Sequence, residues 1–199
     1  DLSFYRINHQ LVVVRTGGSH ADLHEHYASI PKEMAAVARV LGAGSLGETT
    51  KKQLLTKLGR VRKEAGDRAV LRAFHFFDEQ IRVSSFIDAV DSRHEERALK
   101  LINESGDSSW ERVQNVYRPD DPTEQSLALG LTLTKEYLHE RGANGACRVH
   151  GGGFAGTLLA VIPQDLLHEY KHVMDRIFGE GATQAVTIRE AGLIHATYS

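Results

Sequence analysis

The stretch Ala146-Cys147-Arg148-Val149-His150-Gly151-Gly152-Gly153-Phe154-Ala155-Gly156-Thr157 joins two short apolar strand candidates, Ala146–His150 and Thr157–Ile162, through a run of glycines. Each glycine costs about 0.5–1 kcal/mol relative to alanine in regular backbone, so the cluster needs a local cause. Two causes are open: a tight strand connection with positive φ, or close approach of bare peptide N–H groups to a ligand such as phosphate. The string matches neither Gly-x-x-x-x-Gly-Lys-Ser/Thr nor Gly-x-Gly-x-x-Gly, and so does not by itself select between them.

Outward from this turn the hydrophobic period changes. Upstream, Leu127, Leu131, Tyr137 and Leu138 belong to a helix ending near Gly142; downstream, a helix over Leu166–Phe178 precedes strands at Thr183–Ile188 and Leu193–Thr197. Near the other end, Leu11-Val12-Val13-Val14 reads as a buried strand that leaves its sheet through Thr16-Gly17-Gly18-Ser19. Asp22 with Glu25 has the spacing of a helix cap, and Ser29 with Pro31 marks a second start, which predicts two short helices up to Leu41. Gly42, Gly44 and Gly47 then interrupt the pattern, and the charged stretch from Lys51 to Lys63 reads as a surface excursion with one weak helix. Between Asp67 and Val90 there is no Gly or Pro, and Val70, Phe74, Phe77 and Ile81 recur at helical spacing before Phe86, Ile87 and Val90. Shorter helices are expected over Arg97–Glu104 and Ser108–Asn115, ahead of Pro119 and Pro122. Strands at both ends and helices between them predict one α+β domain over residues 1–199. Its sheet is largely antiparallel, with a helix-rich layer, rather than alternating βαβ units.

Composition narrows the function classes. Hydrophobic residues at 41% and charged residues at 25% are the balance of a chain that folds. Lys and Arg total 24 against 26 acidic residues, so no positive field favours nucleic acid or an anionic membrane, and a small-molecule partner is expected. No apolar run reaches the roughly 18 residues of a membrane span. Cys147 is the sole cysteine, which suits a reducing compartment, and the cytoplasm is the expected location.

The longer string around the glycines, Ala146 to Thr157, resembles the third motif of the galactose, homoserine, mevalonate and phosphomevalonate (GHMP) kinase superfamily. The resemblance runs in order along nearly the whole chain and is to galactokinases in particular. It takes in Leu11-Val12-Val13-Val14, Ser19-His20-Ala21-Asp22-Leu23 with Tyr27, Asp67-Arg68-Ala69-Val70-Leu71-Arg72-Ala73, and Leu101-Ile102-Asn103-Glu104-Ser105 through Ser108-Ser109. It implies the C-terminal domain of a two-lobed ATP-dependent sugar kinase, with the sugar in the cleft between lobes. The galactokinase sugar signature, its Ser-rich ATP loop and its active-site Arg and Asp do not occur in these residues, and the chain opens on Asp1 rather than Met. A fragment without its N-terminal kinase domain is therefore expected, with no catalytic residue of its own and inactive alone. ATP and Mg2+ would serve the intact parent, without tight binding to this chain.

By the same resemblance Tyr27, Gly151, Gly152 and Gly153 are substrate-binding, and His150 and Phe154 lie near the transferred phosphate. A phenol suits a sugar contact because it joins an apolar ring to one hydroxyl; a merely packed tyrosine is the alternative. The turn would position reactants rather than move protons. His150 stands where galactokinases commonly have Thr. It either donates to a phosphate oxygen when protonated or makes a structural hydrogen bond. Ala155 replaces a usual Gly, and Asn115 to Gln125 departs from the family's Val-Ser-x-Pro-Glu-Leu-Asp pattern. These departures keep a noncatalytic, galactokinase-like sugar sensor or binding module as the alternative function. No metal site is expected: the His20/His24 and His168/His172 pairs arise among eleven histidines. Ser19, His20 and Asp22 lie too close in sequence for a triad. Phe74, Phe76, Phe77 and Trp110 read as core, and Cys147 as a buried small residue rather than a nucleophile.

Overall fold

The structure, a computed structural model, describes residues 8–18, 23–154 and 156–188. Four strands, β1 (His9–Gly17), β2 (Ala146–Val149), β3 (Gly156–Pro163) and β4 (Thr183–Val186), form one sheet in the order β2-β3-β1-β4, every pairing antiparallel. The fold is α+β. The expected strand over Leu193–Thr197, the cap at Asp22, and Ser19, His20, Ala21 and Ala155 lie outside the described residues.

Alternation along the central strands explains why the sheet needs cover on both sides. Val12, Val14, Cys147, Val149, Leu158, Ala160 and Ile162 point to one face. There they meet Leu127 and Leu131 of α6 (Ser126–Glu140) and Tyr170 and Met174 of α7 (Leu167–Phe178). Leu11, Ala146 and Val161 point to the other, against Leu99 and Ile102 of α5 (Glu95–Ser108). Two helical glycines mark the closest crossings. A Cβ at Gly106 of α5 would stand 2.7 Å from Cys147 O, and one at Gly130 of α6 would stand 2.6 Å from Thr16 Cγ2.

A second core lies among the helices. It joins Val37 and Ala38 of α1 (His24–Leu41), Leu54 of α2 (Lys51–Thr56), Val61 of α3 (Leu58–Ala65), and Val70 and Phe77 of α4 (Asp67–Asp91). The segment from Lys51 to Lys63 is thus structural and not a surface excursion, because Leu54 and Val61 are fully buried. The two short helices expected before Leu41 are one helix with Pro31 inside it. Ser29 does not cap a second start; its hydroxyl donates to His26 O at 2.7 Å and accepts from Arg72 Nη1 at 2.9 Å. The two helices expected over Arg97–Glu104 and Ser108–Asn115 are also continuous, because α5 runs directly into a π-helical turn, Ser109–Val113. Gln114, at φ 60°, ends it. On the distal half of α4, Ile81 is 65% exposed despite its helical spacing, as are Val83 and Ile87 in lesser degree.

Cys147 is buried between sheet and α6, and burial pushes its thiol up to about 12. A thiol reagent at pH 8 is expected to label it only as fast as the whole domain unfolds, tracked by parallel circular dichroism. Gly106→Ala is expected to lose about 1–2 kcal/mol in chemical denaturation: overpacking against the Cys147 carbonyl outweighs the helix-propensity gain of about 1 kcal/mol.

Candidate functional site

The hairpin between β2 and β3 carries the glycine turn and is closed at its root by His150 N–H donating to Thr157 O at 3.0 Å. Its three glycines meet different demands. Gly151 has φ 68° and open space where a side chain would stand. Gly152 meets the ring of Tyr27, with Cε1 2.4 Å and Cδ1 2.6 Å from the place a Cβ would occupy. Gly153 combines φ 79° with a Cβ position 2.1 Å from Asn115 O. The glycines at 152 and 153 are therefore required by close approach within the protein, whereas Gly151, exposed as Gly152 is, alone of the three has room beside it.

Tyr27, in the second turn of α1, packs edge-on to Phe154 at 5.7 Å between centroids, and its hydroxyl donates to Gly153 O at 3.3 Å. Phe154 adopts φ 62° and is only 1% exposed, enclosed by Leu23, Tyr27 and Ile30 with the His26 ring 5.4 Å away. Its side chain anchors the turn. His150 is exposed, and its side chain makes no hydrogen bond among the described residues.

Asn115 locks the opposite side. Its backbone carbonyl accepts from Phe154 N–H at 2.5 Å, and its side-chain nitrogen donates to Gly152 O at 3.1 Å. Its Oδ1 is buried without a partner. Past Val116 the chain folds back over α1, where Asp120 accepts from His26 Nε2 at 2.8 Å and holds Arg118 by two oxygens. The Arg118 guanidinium, aided by His26, draws the Asp120 carboxyl far below the usual carboxylate range. Arg72, 1% exposed, reaches from α4 to Ser29 and Glu33 of α1 and to Val113 O. It sets the two walls, α1 and the π-helical turn, against each other.

Known proteins share this fold. A galactokinase of Lactococcus lactis, solved in complex with galactose, superposes with a TM-score of 0.68 at 17% identity, over 89% of this chain and 45% of that one. This chain is similar to the C-terminal part of galactokinases. Galactokinases of Mannheimia succiniciproducens and Actinobacillus pleuropneumoniae serotype 5b are 24% and 20% identical to it over 167 and 166 residues. The matches cover 84% and 83% of this chain, which spans 40% of the length of each relative. No protein-family model matches.

The domain brings Tyr27, Gly152, Gly153 and Phe154 into one cluster, with His150 and Gly151 at its exposed rim. Sequence reasoning missed Asn115, His26 and Asp120 as its partners. The only local signal was the departure between Asn115 and Gln125. Among the described residues no group of three or more His, Cys, Asp or Glu side chains is placed to hold a metal ion, and no helix is long and apolar enough to cross a membrane.

Gly152→Ala is expected to displace the Tyr27 ring and cost about 1–3 kcal/mol of stability. In a Tyr27→Ser background much of that cost should vanish, giving a double-mutant coupling of about 1 kcal/mol in urea denaturation.

Proposed function

We propose that this domain forms one wall of the sugar cleft in a GHMP-superfamily kinase. The intact protein would transfer the γ-phosphate of ATP to the anomeric hydroxyl of galactose or a related hexose. The anomeric oxygen forms the new P–O bond as the bond to ADP breaks, and the hydroxyl proton leaves to a base in the N-terminal kinase domain. The observation that carries this reading is Tyr27, fixed by Gly152, Gly153 and Phe154 at the edge of the glycine turn.

In this reading Tyr27 offers its ring edge and phenol oxygen to the sugar, an amphipathic surface suited to a pyranose. Gly151, open on its side-chain side, lets sugar or phosphate approach the backbone, with His150 beside it. The contribution is orientation: holding the acceptor oxygen in line with the phosphate saves entropy at the transition state. ATP would supply the phosphoryl group, and Mg2+ would offset its charge. The residues described here supply no cluster of metal ligands. The reaction belongs in the cytoplasm, where ATP is held.

In the full-length protein, Tyr27→Phe is expected to raise the KM for the sugar by about tenfold, the worth of one hydrogen bond in a closed cleft, with the KM for ATP unchanged. An unchanged sugar KM would overturn the role of Tyr27. A full-length protein that binds sugar and ATP but transfers no phosphate to any hexose would replace the kinase by a sugar-sensing or binding module.

A further inference from the structure

We infer that the surface shared by α2, α4, the π-helical turn and β2 binds a small phosphate-class oxyanion, held by Lys51, Arg82, Arg112 and Arg148 around His75. This site is independent of the sugar reading. Two consecutive carboxylates on α4 organise it. Asp78 is shared by Lys51 Nζ at 2.6 Å and Arg112 Nη1 at 2.5 Å. Glu79 is shared by Arg82 and by Arg148 Nη1 at 3.5 Å, and also accepts from Ser105 Oγ at 2.5 Å. His75 precedes both carboxylates by one helical turn and so lies between them on the helix surface.

Four cations facing two carboxylates leave two positive charges in excess, in a chain whose formal net charge is −2. Among the described residues no other carboxylate lies within ion-pair distance of these four side chains. Lys51, Arg112 and Arg148 remain 42%, 33% and 33% exposed, so the surplus charge faces solvent at a partly dry surface, where like charges repel and an anion gains most. Guanidinium forks match the oxygens of a phosphate. A long polyanion finds no extended positive field on this chain, which limits the ligand to a small one.

His75 supplies direction. Its Nδ1 is fixed by Ser108 Oγ at 2.9 Å, and Nε2 has no partner among the described residues. Burial, against the pull of Glu79 and with the push of Arg82, Arg148 and Arg112, holds the imidazole below its usual range. With Nδ1 accepting from Ser108, the neutral ring presents an Nε2–H donor to an anion oxygen.

The test is calorimetric titration of the 199-residue chain with inorganic phosphate at constant ionic strength, with chloride as the matched salt. The His75 ring resonances are followed in parallel by NMR. Saturable phosphate binding that shifts those resonances is expected, weakened about tenfold in Arg112→Gln and in Lys51→Gln through loss of a charge-assisted hydrogen bond. Asp78→Asn, which releases Lys51 and Arg112 from their carboxylate, should tighten binding, a gain that a purely structural network would not give. Parallel titrations with a hexose monophosphate and with ATP identify the source: equal or weaker binding of the esters supports free phosphate, tighter binding supports an organic phosphate. Phosphate with no effect beyond chloride, or bound equally by Arg112→Gln, overturns the site; if that variant fails to fold, Lys51→Gln decides. Loss of phosphate binding in Tyr27→Phe would place the anion in the cleft and overturn a separate site.

Discussion

The arrangement of the cleft wall depends on one buried cation. Arg72 sits in the interior of α4, 1% exposed, and its guanidinium is shared among Ser29, Glu33 and the carbonyl of Val113. A charge in that position is tolerable only while it keeps its ion pair and hydrogen-bond acceptors. Burial draws the guanidinium's pKa down and Glu33 opposes the shift; the group stays charged, and the ion pair offsets part of the cost of burying it. Because its acceptors belong to α1 and to the end of the π-helical turn, Arg72 fixes the distance between the two segments that carry Tyr27 and Asn115. The turn they hold is stiff for that reason, although it is mostly glycine.

Glycine in this turn serves rigidity as much as access. Gly152 and Gly153 lack side chains because Tyr27 and Asn115 occupy the space, and Phe154 is driven into the apolar pocket under α1. A left-handed backbone at a buried phenylalanine is uncommon and persists only where its surroundings over-determine it. The burial of the ring and the hydrogen bond from its N–H to Asn115 O supply that determination. Only Gly151 keeps the freedom that the string of glycines advertises.

Much of the fold was legible because it follows from period and punctuation. Leu11 to Val14, the two strands around the glycines, and the long uninterrupted helix from Asp67 follow directly from their residues, and so does the antiparallel α+β class. The failures share a cause, which is tertiary contact overruling a local signal. Pro31 and Ser29 read as a helix start, yet Ser29 is claimed by Arg72 from another helix. The charged stretch from Lys51 to Lys63 looked solvated because Leu54 and Val61 are sparse, but both point inward. Of the candidate site, Tyr27 and the glycines could be marked by their likeness to galactokinases. The His26–Asp120 contact spans 94 residues, and nothing local in the sequence announces it.

The π-helical turn at Ser109–Val113 makes the winding of this stretch as consequential as the identity of its residues. Such a turn holds one residue more than an α-helical turn in the same rise. Rewinding it as an ordinary α-helical turn with the same residues would swing everything beyond it about the helix axis by about 100°. Val113 would then turn its carbonyl from Arg72, and Asn115 would leave the glycine turn without its latch. In this domain the helix carries one residue of slack in its winding: the wider turn, rather than any side chain within it, brings the two walls face to face.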